Sequence, residues 1–196
     1  MQVDEHPTGL EHARSRQYGG AQHFRNVIQG SRVVLFRGNI HTRLRKVEDG
    51  QVDATLLAMA GLKRLGLVHA ATAVIEPEEL LPAVGQGAIG VTCRTGDRRT
   101  RELLAALDHA ATTARVTAER AMLEVLDGSC RTPIAGLAEV AAGGALTLRG
   151  LIALPDGTEL IETARQGAAA DADAIGRDAG GELRRRAGPG FFDSSG

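Results

Sequence analysis

Three β-prone runs between residues 132 and 167, "TPIAGLAEVAA", "GALTLRGLIAL" and "TELIETARQG", are joined by the short turn signals "GG" and "PDG". Strands linked this tightly fold back as hairpins and pair antiparallel, because a parallel return needs a crossover of a dozen residues or more. The spacing therefore predicts a three-stranded antiparallel sheet. A helix is predicted over "DADAIGRDAGGELRRRA", covering one face of that sheet and weakened by its three glycines. Ahead of the first strand, "TTARVTAERAMLEVL" places apolar residues at 116, 118, 122, 125 and 126, a helical stripe that stops at Gly128. From about His109 onward the chain reads as a small α+β domain.

Upstream the pattern changes. "RVVLF" is a short β-branched run, "RGN" a turn, and "IHTRLRKVEDG" a helix closed by Gly50. "VDATLLA" reads as a buried strand feeding the short helix "MAGLKRLGL". Alternating strand and helix imply a parallel α/β unit, in which buried strands appear as continuous apolar runs. The acidic, proline-bearing "IEPEELLPAVGQG" is followed by an expected strand, "AIGVTC", and a helix, "RRTRELLAAL". Residues 1 to about 30 mix Gly, Gln, His and Arg without periodicity and are expected to be weakly ordered. "VGQG" lacks the spacing and following lysine of a phosphate loop and is no nucleotide site.

Composition narrows the chemistry. With 23 Lys+Arg against 24 Asp+Glu and a net charge of −1, no global field favours nucleic acid or a membrane surface as partner. At 3% aromatics, stacking on nucleobases is excluded as a main function. Any anion site must be local and built from arginine, since Lys46 and Lys63 are the only lysines. Arginine's planar fork suits carboxylates, although a GC-rich coding sequence produces the same bias. Lys63 is expected to face solvent. No apolar run approaches the roughly 18 residues of a membrane span, and the start has neither a basic nor an apolar leader segment, so a cytoplasmic protein is expected. Its two cysteines, without a CxxC pair, suggest neither a disulfide nor zinc. Cys93, in an apolar run, is expected to be a small core residue. Cys130 sits in "GSCR", past a helix end and beside Arg131, where the cation favours thiolate and the helix C-terminus opposes it.

Five strings, "FRGNIHTRLRK", "DATLLAMAGLKRLGL", "LPAVGQGAIGVTCR", "RTRELLAALDHAATTARVTAERAM" and "GSCRTPIAG", occur in this order between about Val33 and residue 187. In them the chain resembles the porphobilinogen deaminases, or hydroxymethylbilane synthases, of tetrapyrrole (haem) biosynthesis. The resemblance implies a transferase that condenses four porphobilinogen molecules head to tail, with loss of ammonia, on a cysteine-linked dipyrromethane. It implies that Cys130 carries that cofactor as a thioether. It further implies that Arg37, Arg43 and Arg64 bind cofactor or substrate carboxylates, each pyrrole bringing an acetate and a propionate.

The same resemblance divides the chain. Residues 31–81 correspond to most of the second domain of a partial periplasmic-binding-protein-like α/β cleft, 82–108 to a return segment of the first domain, and 109–196 to the C-terminal domain. Residues 1–30 are unmatched, and the stretch bearing the family's catalytic aspartate has no counterpart; Asp4 in "MQVDEHPTG" does not fit its motif. The expectation is an N-terminally truncated member, weakly active or inactive alone, with no catalytic residue of its own and an apolar face left open for self-association. A non-catalytic polycarboxylate binder and one half of a split enzyme are the alternatives.

Overall fold

The computed structural model describes residues 34, 36–127, 133–154 and 158–191. Four helices come first: α1 (Ile40–Glu48), α2 (Met59–Arg64), α3 (Arg98–Ala105) and α4 (Ala110–Val125). Strands β1 (Ile134–Val140), β2 (Ala145–Ala153) and β3 (Leu160–Ala168) follow, and α5 (Ala172–Ala187) closes the described chain. The sheet has the order β1-β2-β3, antiparallel throughout, as the hairpin signals predict. Among the described residues no helix is long and apolar enough to cross a membrane.

The core follows from the two-residue period of the strands. Ile134, Ile152 and Ile161 stand in one cross-strand row, and with Ala138, Leu146 and Leu148 they meet Ala118, Met122, Leu126, Ala179 and Leu183 from α4 and α5. Gly136 and Gly150 are also register partners, and the missing side chains make room for Met122, which is fully buried. A Cβ on Gly136 would lie 2.6 Å from the Met122 methyl. Glycine has the same use between the helices. A Cβ on Gly176 would run into the Ala118 carbonyl oxygen and lie 2.7 Å from the Ala121 Cβ, and one on Gly180 would lie 2.8 Å from the Met122 carbonyl oxygen. The glycines that weaken α5 as an isolated helix are thus what lets it lie against α4. Arg165 on β3 pairs with Asp178 and Glu182 of α5, and Glu182 also accepts from the Thr163 hydroxyl at 2.7 Å and from Arg186 at 3.1 Å.

Residues 34–107 contain only a small core, in which Val34, Phe36 and Val52 pack with Val47. Two readings from sequence are corrected here. "DATLLA" and "AIGVTC" form no strand, and the single sheet of the described residues is the antiparallel one, so no parallel α/β sheet is present among them. A strand exists only against a partner that takes its backbone N–H and C=O groups, and these segments find none there. Cys93 is exposed rather than a core residue, for the same reason: Ile89, 94% exposed, and Val91, 62% exposed, share its unpaired segment. Lys63 is exposed as expected, and "RVVLF" falls largely outside the described residues, as does all of 1–30.

The segment after Glu79 links the two regions. Leu81 packs with Ala135, Leu151 and Ala153 on the sheet face away from the helices, and the Gly136 N–H donates to the Pro82 carbonyl at 2.9 Å, covering the free edge of β1. Val84 reaches the main core from its side.

Candidate functional site

The basic site is set up by the turn into α1. Gly38 has φ +135°, a conformation closed to side chains, and a Cβ there would also lie 2.8 Å from the Thr42 methyl. Asn39 caps the helix, its side chain accepting from the Thr42 N–H at 2.9 Å and from the Thr42 hydroxyl at 3.0 Å. At the other end Gly50, φ +69°, closes the helix, its N–H donating to Val47 O and that of Gln51 to Lys46 O, as sequence predicts. The first turn of α1 carries no acidic residue, so no local charge offsets its macrodipole, while the Asn39 cap takes up the Thr42 N–H.

Three arginines stand on or beside α1 and α2. Arg43 Nε donates to the Gly38 carbonyl at 3.0 Å, which brings Arg43 back onto the loop that holds Arg37. Only one nitrogen of the guanidinium is used in that bond, leaving the terminal pair for a bidentate ligand. Arg37 precedes Gly38 and is exposed. Arg64 ends α2, and α2 lies against the start of α1: a Cβ on Gly61 would sit 2.8 Å from the Ile40 Cδ1. Gly61 and Arg64 are three apart on one helical face. Among the described residues no carboxylate lies within ion-pair distance of Arg37, Arg43 or Arg64, although six other arginines are so paired.

Forked cations with no carboxylate partner among the described residues, near a helix N-terminus that carries no acidic residue, are chemically matched to a ligand with several carboxylates. Cys130 lies outside the described residues, in the connection between α4 and β1; ahead of it Asp127, φ +52°, turns the chain away from α4.

Sequence reasoning missed two residues. Lys46, one turn beyond Arg43, donates to the Arg37 carbonyl at 3.2 Å and stands 5.4 Å over the ring of Phe36. Glu119 is a buried carboxylate whose two oxygens accept from Gly85 N–H at 2.6 Å and Ala138 N–H at 2.8 Å, bolting "VGQG" to α4 and β1. Burial raises its pKa against the lowering effect of those two donors and of Arg115. The signal was legible: Glu119 interrupts the apolar stripe of α4 between positions 116 and 122.

Comparison with known proteins is consistent across the chain. A family model described as porphobilinogen deaminase, dipyromethane cofactor binding domain, matches residues 15–102, and the model of the porphobilinogen deaminase C-terminal domain matches 113–185. Porphobilinogen deaminase of Paracoccus denitrificans (strain Pd 1222) is 57% identical over 164 residues, 84% of this chain and 52% of that protein. The chloroplastic porphobilinogen deaminase of Pisum sativum is 53% identical over 161 residues, 81% of this chain and 44% of that protein. That of Oryza sativa subsp. japonica is 52% identical over 166 residues, 83% and 46% respectively. The chain spans about half the length of the curated relatives it matches.

Proposed function

This chain belongs to the porphobilinogen deaminase family, and on that premise we propose that it serves hydroxymethylbilane synthesis, holding a dipyrromethane through Cys130 and the carboxylates of its pyrroles through Arg37, Arg43 and Arg64. The observation that carries this reading is the arginine set around α1 and α2, which has no carboxylate partner of its own among the described residues. Bound there, the cofactor supplies the pyrrole end to which porphobilinogen units are added. The side chains contribute binding and orientation: Arg43, anchored to Gly38, presents a fixed fork, and Arg37 and Arg64 add counter-charge from the loop and from α2. We place the protein in the cytoplasm.

The finer architecture belongs to the same proposal. Residues 34–107 are read as part of a periplasmic-binding-protein-like α/β cleft, whose other strands would correspond to the half of the relatives that the chain does not match. The exposed Leu65, Val68, Val74, Ile75, Ile89, Val91, Leu103 and Leu107 favour this reading. They also favour a second one, in which the chain works as one half of a two-part enzyme or associates with itself through that face.

Intact mass tests the proposal. Purified from cells with an active haem pathway, the chain is expected to exceed its polypeptide mass by two pyrrole units, and Cys130→Ser to abolish the increment. An unmodified wild-type mass, also after supply of the missing half of a relative, would overturn cofactor attachment.

A further inference from the structure

We propose that Lys46 is a positioning residue of the anion site: by holding the Arg37 carbonyl it fixes the direction in which the Arg37 guanidinium meets a carboxylate ligand. The proposal rests on the reading of Arg37 and Arg43 as carboxylate-binding residues.

Two cations on one face of α1, three residues apart, grip successive carbonyls of the preceding loop. Arg43 holds the carbonyl of Gly38 at 3.0 Å and Lys46 that of Arg37 at 3.2 Å. Between these two carbonyls lies Gly38, whose φ of +135° leaves the chain with no side chain to restrict rotation. Arg43 alone would therefore secure the helix side of that hinge and leave the Arg37 side free. Lys46 secures the second side against something rigid. Its ammonium stands 5.4 Å over the ring of Phe36, and Phe36 is buried with Val34 and Val52. Loop, ring and helix are thus cross-braced through one ammonium.

The residue type fits the task. In a chain with 23 Lys+Arg and only two lysines, this position takes lysine. A compact ammonium suits one carbonyl above an aromatic face, whereas a guanidinium fork would leave an arm without an acceptor.

The test uses benzene-1,2,4,5-tetracarboxylate as probe, titrated calorimetrically at low salt into the full chain and into Lys46→Met, Lys46→Arg, Arg37→Gln and the Lys46→Met/Arg37→Gln double variant. Methionine keeps the contact with Phe36, and thermal melting checks that each variant is folded. Loss of one hydrogen bond's worth of positioning predicts about fivefold weaker binding for Lys46→Met, and no further weakening when it is added to Arg37→Gln. Lys46→Arg, which keeps the charge and loses the geometry, is expected to fall with Lys46→Met. Additive effects, or full rescue by arginine, would make Lys46 a mere counter-charge and overturn the proposal. Equal binding by the wild type and Arg37→Gln would instead overturn the underlying reading of the site, and the proposal with it. A second readout does not depend on the ligand: acetylation by a limiting amine reagent is expected to modify Lys46 several-fold more slowly than the exposed Lys63. Equal rates would show that the clamp does not form.

Discussion

Residues 110–191 and residues 34–107 use similar amounts of apolar side chain to opposite effect. In the first region α4, α5 and the sheet bury Met122, Leu146, Leu148, Ile152 and Leu183 almost completely. In the second, Ile89, Val91, Leu103 and Leu107 are more than 60% exposed, α3 buries no residue, and the buried Thr55 hydroxyl has no hydrogen-bond partner among the described residues. The difference lies in the completeness of the backbone ladder rather than in composition. Three strands and two helices close on one another; single extended segments cannot. In the closed region Arg165 and Arg186 are tied to Glu182, whereas in the open region Arg94 and Arg98 pair only with near neighbours on the chain and Arg37, Arg43 and Arg64 have no carboxylate partner among the described residues.

The sharpest way to break this comparison is one methyl group placed in each region. Gly176→Ala drives a Cβ into the Ala118 carbonyl and is expected to cost about 3 kcal/mol, more than the helix propensity it gains. Gly90→Ala meets nothing within 4 Å and is expected to change stability by less than about 0.5 kcal/mol. Urea denaturation of both variants decides the matter, and equal midpoints would mean that α4 and α5 are not in close contact.

Next comes the bolt between the regions. Glu119→Ala strips the acceptors from Gly85 and Ala138 and is expected to cost about 2 kcal/mol. Amide exchange should accelerate at Gly85 and at Ala138, whose N–H faces outward from the edge of β1; unchanged exchange at both would refute the bolt.

A smaller effect is expected from acid, and it differs in sign between two glutamates. Glu182 is held down to about 2, chiefly by the Thr163 hydroxyl and then by Arg165 and Arg186, from its ordinary value of 4.5. A lowered folded pKa means stability that is present above 4.5 and lost as pH falls toward 2. Glu119 is raised by burial, so its contribution is present below 4.5 and is lost as pH rises through its folded pKa. Glu182→Gln should therefore flatten the decline in melting temperature between pH 4.5 and 2. Retention of the full decline in that variant would assign it to other carboxylates.

Smallest in stability, and informative for association, is Ile89→Ser combined with Leu103→Ser. Less than about 0.5 kcal/mol should be lost, since both side chains are already in water. Sedimentation velocity should show concentration-dependent association of the wild type that the double variant lacks. A wild type that stays monomeric throughout would remove the self-association reading.

Much of the closed region was legible because its signals are local. The turn dipeptides, the strand period of two and the stripe on α4 each specify a conformation that its own neighbours satisfy, and the three strands appear where those signals put them. Two helices of the open region carry local signals of the same kind: Asn39 and Gly50 cap α1, and Asp97 caps α3. "DATLLA" and "AIGVTC" were misread because a strand is a property of two segments, and an apolar run does not name its partner. At the site, the family strings are what singled out Arg37, Arg43 and Arg64 as candidates, but nothing in them shows that Arg43 turns back onto Gly38 or that Lys46 holds the Arg37 carbonyl.

The amino-acid sequence by itself determined the family, the antiparallel sheet and the presence of the helices, since these depend on residue identities within a few positions of one another. Tertiary structure alone decided that the glycines of α5 serve close packing, that Glu119 joins two segments 34 and 19 residues away, and that Cys93 faces water. Each of these depends on what lies across a gap in space, where burial and unmet hydrogen-bonding groups set the energy, and linear order carries no record of that distance.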